Sequence, residues 1–421
     1  MIVQRRRHGE RSNLDELYSL AESAGFNIQD SMEQIREPDP NYQIGRGKVR
    51  ELAELVAEKQ AERVIFANEL KPQQAYNLAK ATGVEIIDRF QLILKIFVNR
   101  AATTEAKLQI QLADLRYELP RAKEKVKLAR KAEQPGFRGL GAYEVDVYYE
   151  TIRRQIHRIQ RKLKAIRKKR SLHRSRRLEL GYSLIALAGY TNAGKSSLFN
   201  ALAQEAVTVD SGLFTTLSTT TRAIELSERK ILLTDTVGFI GDLPLTLIEA
   251  FQSTLEETIF SDIILLVVDI GEPMEEINRK LSCCLDTIQT IGAAGIPIIT
   301  ALNKVDLLSK ESLELKLATL KDVAPHPVLI SALHFTNLPE LKQAFLCYLK
   351  EYVQASVWVP WKTESMPFIS WLHDRAEVHG LKYQGDGMSL TFKAVPRFAD
   401  KVRNKVEQLG GTFNVKINKQ G

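Results

Sequence analysis

The residues best equipped for chemistry begin at Gly189-Tyr190-Thr191-Asn192-Ala193-Gly194-Lys195-Ser196-Ser197. An apolar run, Ser183 to Ala188, precedes them, and a helix-like segment, Leu198 to Ala203, follows. Strand, glycine loop and helix in that order make a phosphate cradle. Backbone N–H groups can turn inward where Gly189 and Gly194 relax the backbone, and the helix N-terminus adds partial positive charge. The loop from Gly189 through Asn192, Ala193 and Gly194 to Ser197 is therefore the predicted nucleotide-binding segment. Lys195 can reach the terminal phosphates, and the Ser196 hydroxyl can ligate a Mg2+ that bridges phosphate oxygens.

A phosphate loop alone does not separate ATP from GTP. Four further segments in order do. Asp235-Thr236-Val237-Gly238 follows a strand-like run, Lys230 to Thr234, and sets a carboxylate near the metal and a glycine N–H near a γ-phosphate. Leu213-Phe214-Thr215-Thr216-Leu217 lies in a Ser/Thr/Gly-rich loop of the kind that γ-phosphate and metal can order. Thr216 is the first candidate for a metal-binding hydroxyl there and Thr215 the second. Asn303-Lys304-Val305-Asp306 places Asp306 to accept from N1–H and the exocyclic amine of guanine, while Asn303 holds the loop and the Lys304 stem covers the base. Ser331-Ala332-Leu333 can offer a backbone N–H to guanine O6. The predicted ligands are thus GTP or GDP with Mg2+: Ser196, Thr216 and Asp235 for the metal, and Lys195, Thr216 and Gly238 for catalysis. Phe239 stands where Ras-like GTPases hold the water-orienting glutamine, and its ring cannot polarise water. Unaided hydrolysis should be slow and should wait for a partner.

The surrounding chain must carry these loops. At 421 residues it has room for several domains. With 44% hydrophobic and 26% charged residues, it has the composition of an ordinary soluble protein. Cys283, Cys284 and Cys347 have no metal-ligand spacing, and the start, Met1 to Arg7, has no apolar core of a secretory signal. The longest apolar run, Ile263 to Val268, is too short for a membrane span, so a cytoplasmic protein without membrane insertion is expected. Between Thr151 and Leu178 there are thirteen Lys or Arg and no Asp or Glu. Taking those thirteen from 59 basic residues leaves 46 against 51 acidic ones, so the whole net charge of +8 arises in this segment. A polyanion partner is implied.

An α/β class follows from the order of elements. Residues 1–104 read as a small α/β domain, with a helix from Asn13 to Ala24, a polar stretch to Tyr42, and strands alternating with helices to Val98. Gly45-Arg46-Gly47-Lys48 reads as a loop-to-helix junction. Residues 105–177 read as a two-helix coiled arm. Leu108, Leu112, Leu115 and Leu119 face Ile152, Ile156, Ile159, Leu163 and Ile166, and a Gly-rich tip spans Gln134 to Gly141. RNA contact is favoured for the arm's basic face over a merely solvated one. Residues 178–351 form the P-loop GTPase domain, with near-continuous apolar runs suited to a buried parallel sheet. Residues 352–421 spell βαββαβ, a ferredoxin-like α+β module with a helix from Pro367 to Val378. Trp358, Trp361 and Trp371 there could stack on bases, although packing is the favoured role.

The chain resembles the HflX GTPases. The residues that carry this are Val64-Ile65-Phe66 with Glu69-Leu70, Val84 to Arg89, Ile93-Leu94, Lys107-Leu108-Gln109, Leu119-Pro120-Arg121, Leu213 to Leu217, Asp235 to Ile240, and Thr254 to Thr258. The similarity runs from about Asn13 to Val395. It implies that the activating partner is the large (50S) ribosomal subunit and its RNA, with a GTPase that splits or rescues stalled ribosomes; a monomer is expected. A nucleotide-gated RNA-binding or assembly factor is the alternative. Two departures stand out. The family opens with an apolar strand where this chain has Arg5-Arg6-Arg7-His8, so an edge strand is expected to be missing or the start truncated. The tip loop reads Gly136-Phe137-Arg138-Gly139-Leu140-Gly141 in place of the family's pattern.

Overall fold

The computed structural model describes residues 1–101, 103–132, 140–179, 182–203, 220–226, 229–236, 238–239, 258–349, 353–373 and 376–416. Among these the strands form three sheets.

The first sheet comprises β1 (Ile2–Arg6), β2 (Ser31–Ile35), β3 (Arg63–Phe66) and β4 (Glu85–Asp88), all parallel, in the order β2-β1-β3-β4. The expectation of a missing edge strand is therefore overturned: β1 is present and lies inside the sheet. Ile2 and Val3 are fully buried, and the arginines fall at its carboxyl end, where the neighbouring chain is acidic. Arg6 pairs with Glu33 at 2.8 Å and Arg7 with Glu37 at 3.0 Å. The polar stretch to Tyr42 also hides a strand, β2. Its one fully apolar anchor is Met32, too little for an alternation signal. The helices are α1 (Leu14–Ser23), α2 (Arg46–Glu58), α3 (Pro72–Thr82) and α4 (Arg89–Arg100). Gly45 is the residue before α2, as a loop-to-helix junction requires.

The arm is α5 (Thr104–Ala132) and α6 (Leu140–Glu179), each longer than its apolar repeat. Leu112, Ala122, Ile152, Ile156, Ile159 and Leu163 form its buried seam, with Leu108, Leu115 and Leu119 against it. Gln134 to Gly139 of the predicted tip lie outside the described residues, and helix α6 begins at Leu140. The root of the arm is fixed to the first sheet. Buried Asp88 N-caps α4, accepts from the Tyr117 hydroxyl, and pairs with Arg121 at 3.1 Å. The Arg121 guanidinium stacks 3.2 Å from the Tyr117 ring centroid and donates to Leu70 O. Burial raises the Asp88 carboxyl pKa against the pull of these donors.

The central sheet holds β5 (Ser183–Gly189), β6 (Thr220–Leu226), β7 (Arg229–Asp235), β8 (Ile263–Asp269), β9 (Ile298–Asn303) and β10 (Pro327–Leu329), ordered β10-β9-β8-β5-β7-β6. Only β6 runs antiparallel to its neighbour. Its helices include α7 (Lys195–Ala203), α8 (Met274–Thr290), α9 (Lys310–Leu320) and α10 (Leu338–Tyr348). The third sheet is β11 (Val353–Pro360), β12 (Glu377–Gln384), β13 (Gly387–Ala394) and β14 (Thr412–Lys416), antiparallel in the order β12-β13-β11-β14. Helices α11 (Ser365–His373) and α12 (Pro396–Gln408) cover one face. The helix predicted to Val378 stops at His373. Val378 instead pairs with Phe392 in the sheet, where its β-branched side chain packs on the core.

Candidate functional site: a phosphate loop and its base-recognition loops

The site forms where β5, β7, β8, β9 and β10 end, at the carboxyl edge of the central sheet, the usual ligand-binding edge of an open α/β sheet. β5 is buried beyond its first residue, so it fixes the start of the phosphate loop rigidly. The loop then turns through three left-handed or glycine-only conformations: Gly189 at φ 144°, Asn192 at φ 64° and Gly194 at φ 92°. Both glycines are also required by space. A Cβ on Gly189 would strike Val267 O, and one on Gly194 would strike Asn303 Nδ2. The second contact shows how tightly the phosphate loop and the Asn303 loop are joined.

Asn303 makes that junction. Its Nδ2 donates to Ala193 O at 2.9 Å and its Oδ1 accepts from Ala332 N at 2.9 Å, in a side chain only 2% exposed. One amide thus ties together three of the predicted segments. Lys304 takes φ 70° and pairs with Asp269 at 2.6 Å, which spreads its stem beside the loop. Asp306 accepts from Ser331 Oγ at 2.5 Å, and His334 Nε2 lies 3.9 Å from its other oxygen. Ser331 N is taken by Thr336 O and Ala332 N by Asn303, so Leu333, itself exposed, carries the remaining N–H of that trio.

At the phosphate end, the buried Lys195 ammonium donates to Tyr190 O at 2.7 Å. Burial pushes its pKa down, while the Asp235 carboxylate pulls it back up. A bound polyphosphate would supply the negative charge that this buried cation lacks. Ser196 Oγ donates to Asp235 Oδ2 at 3.0 Å, so the two predicted metal ligands of this region are adjacent. One hydroxyl and one carboxylate are hard oxygen donors. They suit Mg2+, which takes few protein ligands and completes its shell with water and phosphate oxygens. Gly238 is close by: a Cβ there would come within 2.8 Å of Lys195 Nζ and 3.0 Å of Thr191 Cγ2. Ser197 continues α7. Thr215 and Thr216, with the rest of Leu213 to Leu217, lie outside the described residues, as does Val237.

Phe239 is placed differently from a water-orienting residue. Its ring is 2% exposed and sits in the core with Tyr190, Ile264 and Leu266. Its backbone does the visible work: Phe239 N donates to Gly189 O at 2.9 Å and Phe239 O accepts from Thr191 N at 2.8 Å. It clamps the phosphate loop. The chain's pattern also missed a layer beneath that loop. The buried Cys284 thiol, pushed up to about 12 by burial, lies under Tyr190, while Arg279 and Lys280 approach the Tyr190 ring at 5.6 and 5.0 Å. Cysteine spacing could not reveal this role. The amphipathic repeat Ile277, Leu281, Cys284, Ile288 along α8 could have.

A phosphate cradle, a hydroxyl and a carboxylate side by side at its end, and an Asn-Lys-x-Asp loop wired to it define a P-loop GTPase. Three family profiles cover consecutive stretches: "GTP-binding GTPase N-terminal" over 11–98, "GTP-binding GTPase Middle Region" over 100–177 and "50S ribosome-binding GTPase" over 184–304. The chain is 43% identical over 402 residues to a GTPase HflX of Methanocaldococcus jannaschii, covering 96% of this chain and 98% of the relative. It is 47% identical over 322 residues to one from Thermococcus kodakarensis, covering 76% and 73%. A solved relative described as an SsGBP and GDP complex is 27% identical, covers 82% of this chain and 98% of its own, and has a TM-score of 0.49. The chain belongs to the HflX GTPase family, and it binds guanine nucleotide and hydrolyses GTP. Among the described residues no helix is long and apolar enough to cross a membrane.

Proposed function

We propose that this GTPase works on the ribosome. It holds GTP or GDP with Mg2+, contacts the large (50S) subunit and its RNA through the arm, hydrolyses GTP when that contact is made, and thereby splits or rescues stalled ribosomes. The observation that carries this reading is the outer face of α6. Arg154, Arg158, Arg161, Lys162 and Lys164 are all exposed there, while Ile152, Ile156, Ile159 and Leu163 are committed to α5. The apolar stripe has its partner, so the cations are left for a polyanion. The profile for "50S ribosome-binding GTPase" and the HflX relatives support the ribosome as that polyanion.

In this reading the loop from Gly189 to Ser197 wraps the phosphates. Lys195 neutralises charge at the γ-phosphate, Gly238 donates to it, and Ser196 and Asp235 hold Mg2+, with Thr216 completing the set. Mg2+ supplies charge neutralisation on the phosphates. Asp306 reads guanine N1–H and the amine, the Leu333 N–H reads O6, and Lys304 covers the base. With the Phe239 ring in the core, the chain places no water-orienting group at that position, and the stimulus comes with the partner. GTPase rates measured with and without purified 50S subunits test this. Stimulation should be large, should vanish with charge reversal on α6, and Lys195→Ala should lose nucleotide binding altogether. Equal rates with and without 50S subunits would sink the ribosome-dependent reading.

A further inference from the structure

We propose that the open face of the C-terminal sheet is a second nucleic-acid site, which takes single-stranded RNA with Trp358 as the stacking platform. The face is defined by alternation. Ala355, Val357, Val359, Leu390 and Phe392 pack with α11 and α12 in one cluster drawn only from residues 353–413. The intervening positions must therefore project from the opposite face. In register, Trp358 lies between Ser389 and Thr412, and Ser356 between Thr391 and Asn414. The next strand adds Lys382 opposite Ser389, and Lys393 stands opposite Gln354.

A protein-docking face would centre on several apolar side chains. This one has a single aromatic, the half-buried Trp358, among hydroxyls, an amide and two lysines, with His379 in register opposite Thr391 and Glu377 opposite Lys393. The Trp358 indole lies across Gly387, where any Cβ would fall 2.7 and 2.8 Å from ring atoms. The glycine therefore gives the ring its room on the strand. Residues 352–421 carry ten Lys or Arg against six Asp or Glu, an excess separate from that of α6 and of the right sign for a phosphate backbone. Base stacking on a sheet aromatic, with hydroxyls to meet 2′-OH groups and lysines to meet phosphates, is how an open four-stranded α+β sheet recognises RNA.

The test uses the full chain with Arg158, Arg161 and Lys162 reversed to Glu, which weakens the arm's contribution by taking the segment's charge from +13 to +7, and the face variants are read against this background. Fluorescence anisotropy then follows binding of labelled oligo(U) and oligo(A) 12-mers. Residual binding should remain, weaken about tenfold or more in Trp358→Ala and change less than about threefold in Trp358→Phe. Lys382→Gln should lower the salt slope by about one. Should Trp358→Ala melt early, Thr391→Glu puts a charge on the same face without touching the core and should also lose binding. No RNA binding in the arm-reversed protein, or unchanged binding by the face variants, overturns the proposal. Neither outcome bears on 50S stimulation of hydrolysis, which is read separately.

Discussion

Asn303→Ala is the most direct probe of how the nucleotide site is held together. The side chain makes two hydrogen bonds of 2.9 Å, to Ala193 O in the phosphate loop and from Ala332 N in the base-recognition segment, and it is buried. Removing it deletes both bonds and leaves a backbone carbonyl and a backbone N–H without their partner. Each lost bond of this kind costs about 1–2 kcal/mol in a buried setting, so the pair is worth about 2–4 kcal/mol. Where the loss falls depends on the loops. If they keep their geometry without the amide, it appears as global stability. If they separate, it appears as nucleotide affinity, and about 2–4 kcal/mol is then a factor of roughly 30 to 1,000 in Kd. Because the amide joins two loops rather than supporting a core, we expect most of it in affinity. Titration of a fluorescent GDP analogue gives the affinity, and urea unfolding without nucleotide gives the stability. A variant that keeps GDP affinity within threefold and loses no stability would refute the coupling.

Phe239→Gln should not speed unaided hydrolysis, because the side chain at 239 is in the core rather than beside the phosphates. It should cost about 3 kcal/mol of stability, read by denaturant midpoint, and a rise in unaided turnover above about tenfold would show that the residue lines the reaction site. The Cys284 thiol is held near 12 against an ordinary 9.0, so the unfolded chain loses this proton first as pH rises. Stability from Cys284 is complete below about pH 9 and is lost progressively toward pH 12. Cys284→Ala should remove that part of the alkaline slope, whereas identical slopes from pH 9 to 11 would exclude it. Arg121→Ala leaves the buried Asp88 carboxylate with one fewer partner at the root of the arm, at a cost of about 3 kcal/mol. Hydrogen exchange should quicken around Asp88 and residues 115–121. Unchanged protection there would mean that Tyr117 and the seam suffice.

How much of this the chain displays in its order of residues varies with the physical source of each feature. The phosphate loop, Asp235, Asn303 and Asp306 were legible because their function constrains residue type at fixed spacing beside strong apolar runs, and β5, β8 and β9 are buried on both faces. The arm was legible for a related reason, since a heptad-like seam repeats over many turns and averages out noise. Strand β2 was not, because one buried Met32 among polar neighbours carries no period, and it is a strand only by pairing with β1. β1 itself was obscured by its arginines, whose partners Glu33 and Glu37 are local in space and about thirty residues away in sequence. The buried ring of Phe239 belongs to the same class. Its position in the motif suggests a role at the phosphates, but an apolar side chain next to a sheet end takes the lowest-energy place available, which is the core. The motif fixed where its backbone stands, and burial decided where its side chain went. That division lets the segment clamp the phosphate loop through Gly189 and Thr191 with its side chain committed to the core, and on the proposed reading the hydrolytic step then falls to a group that the partner brings.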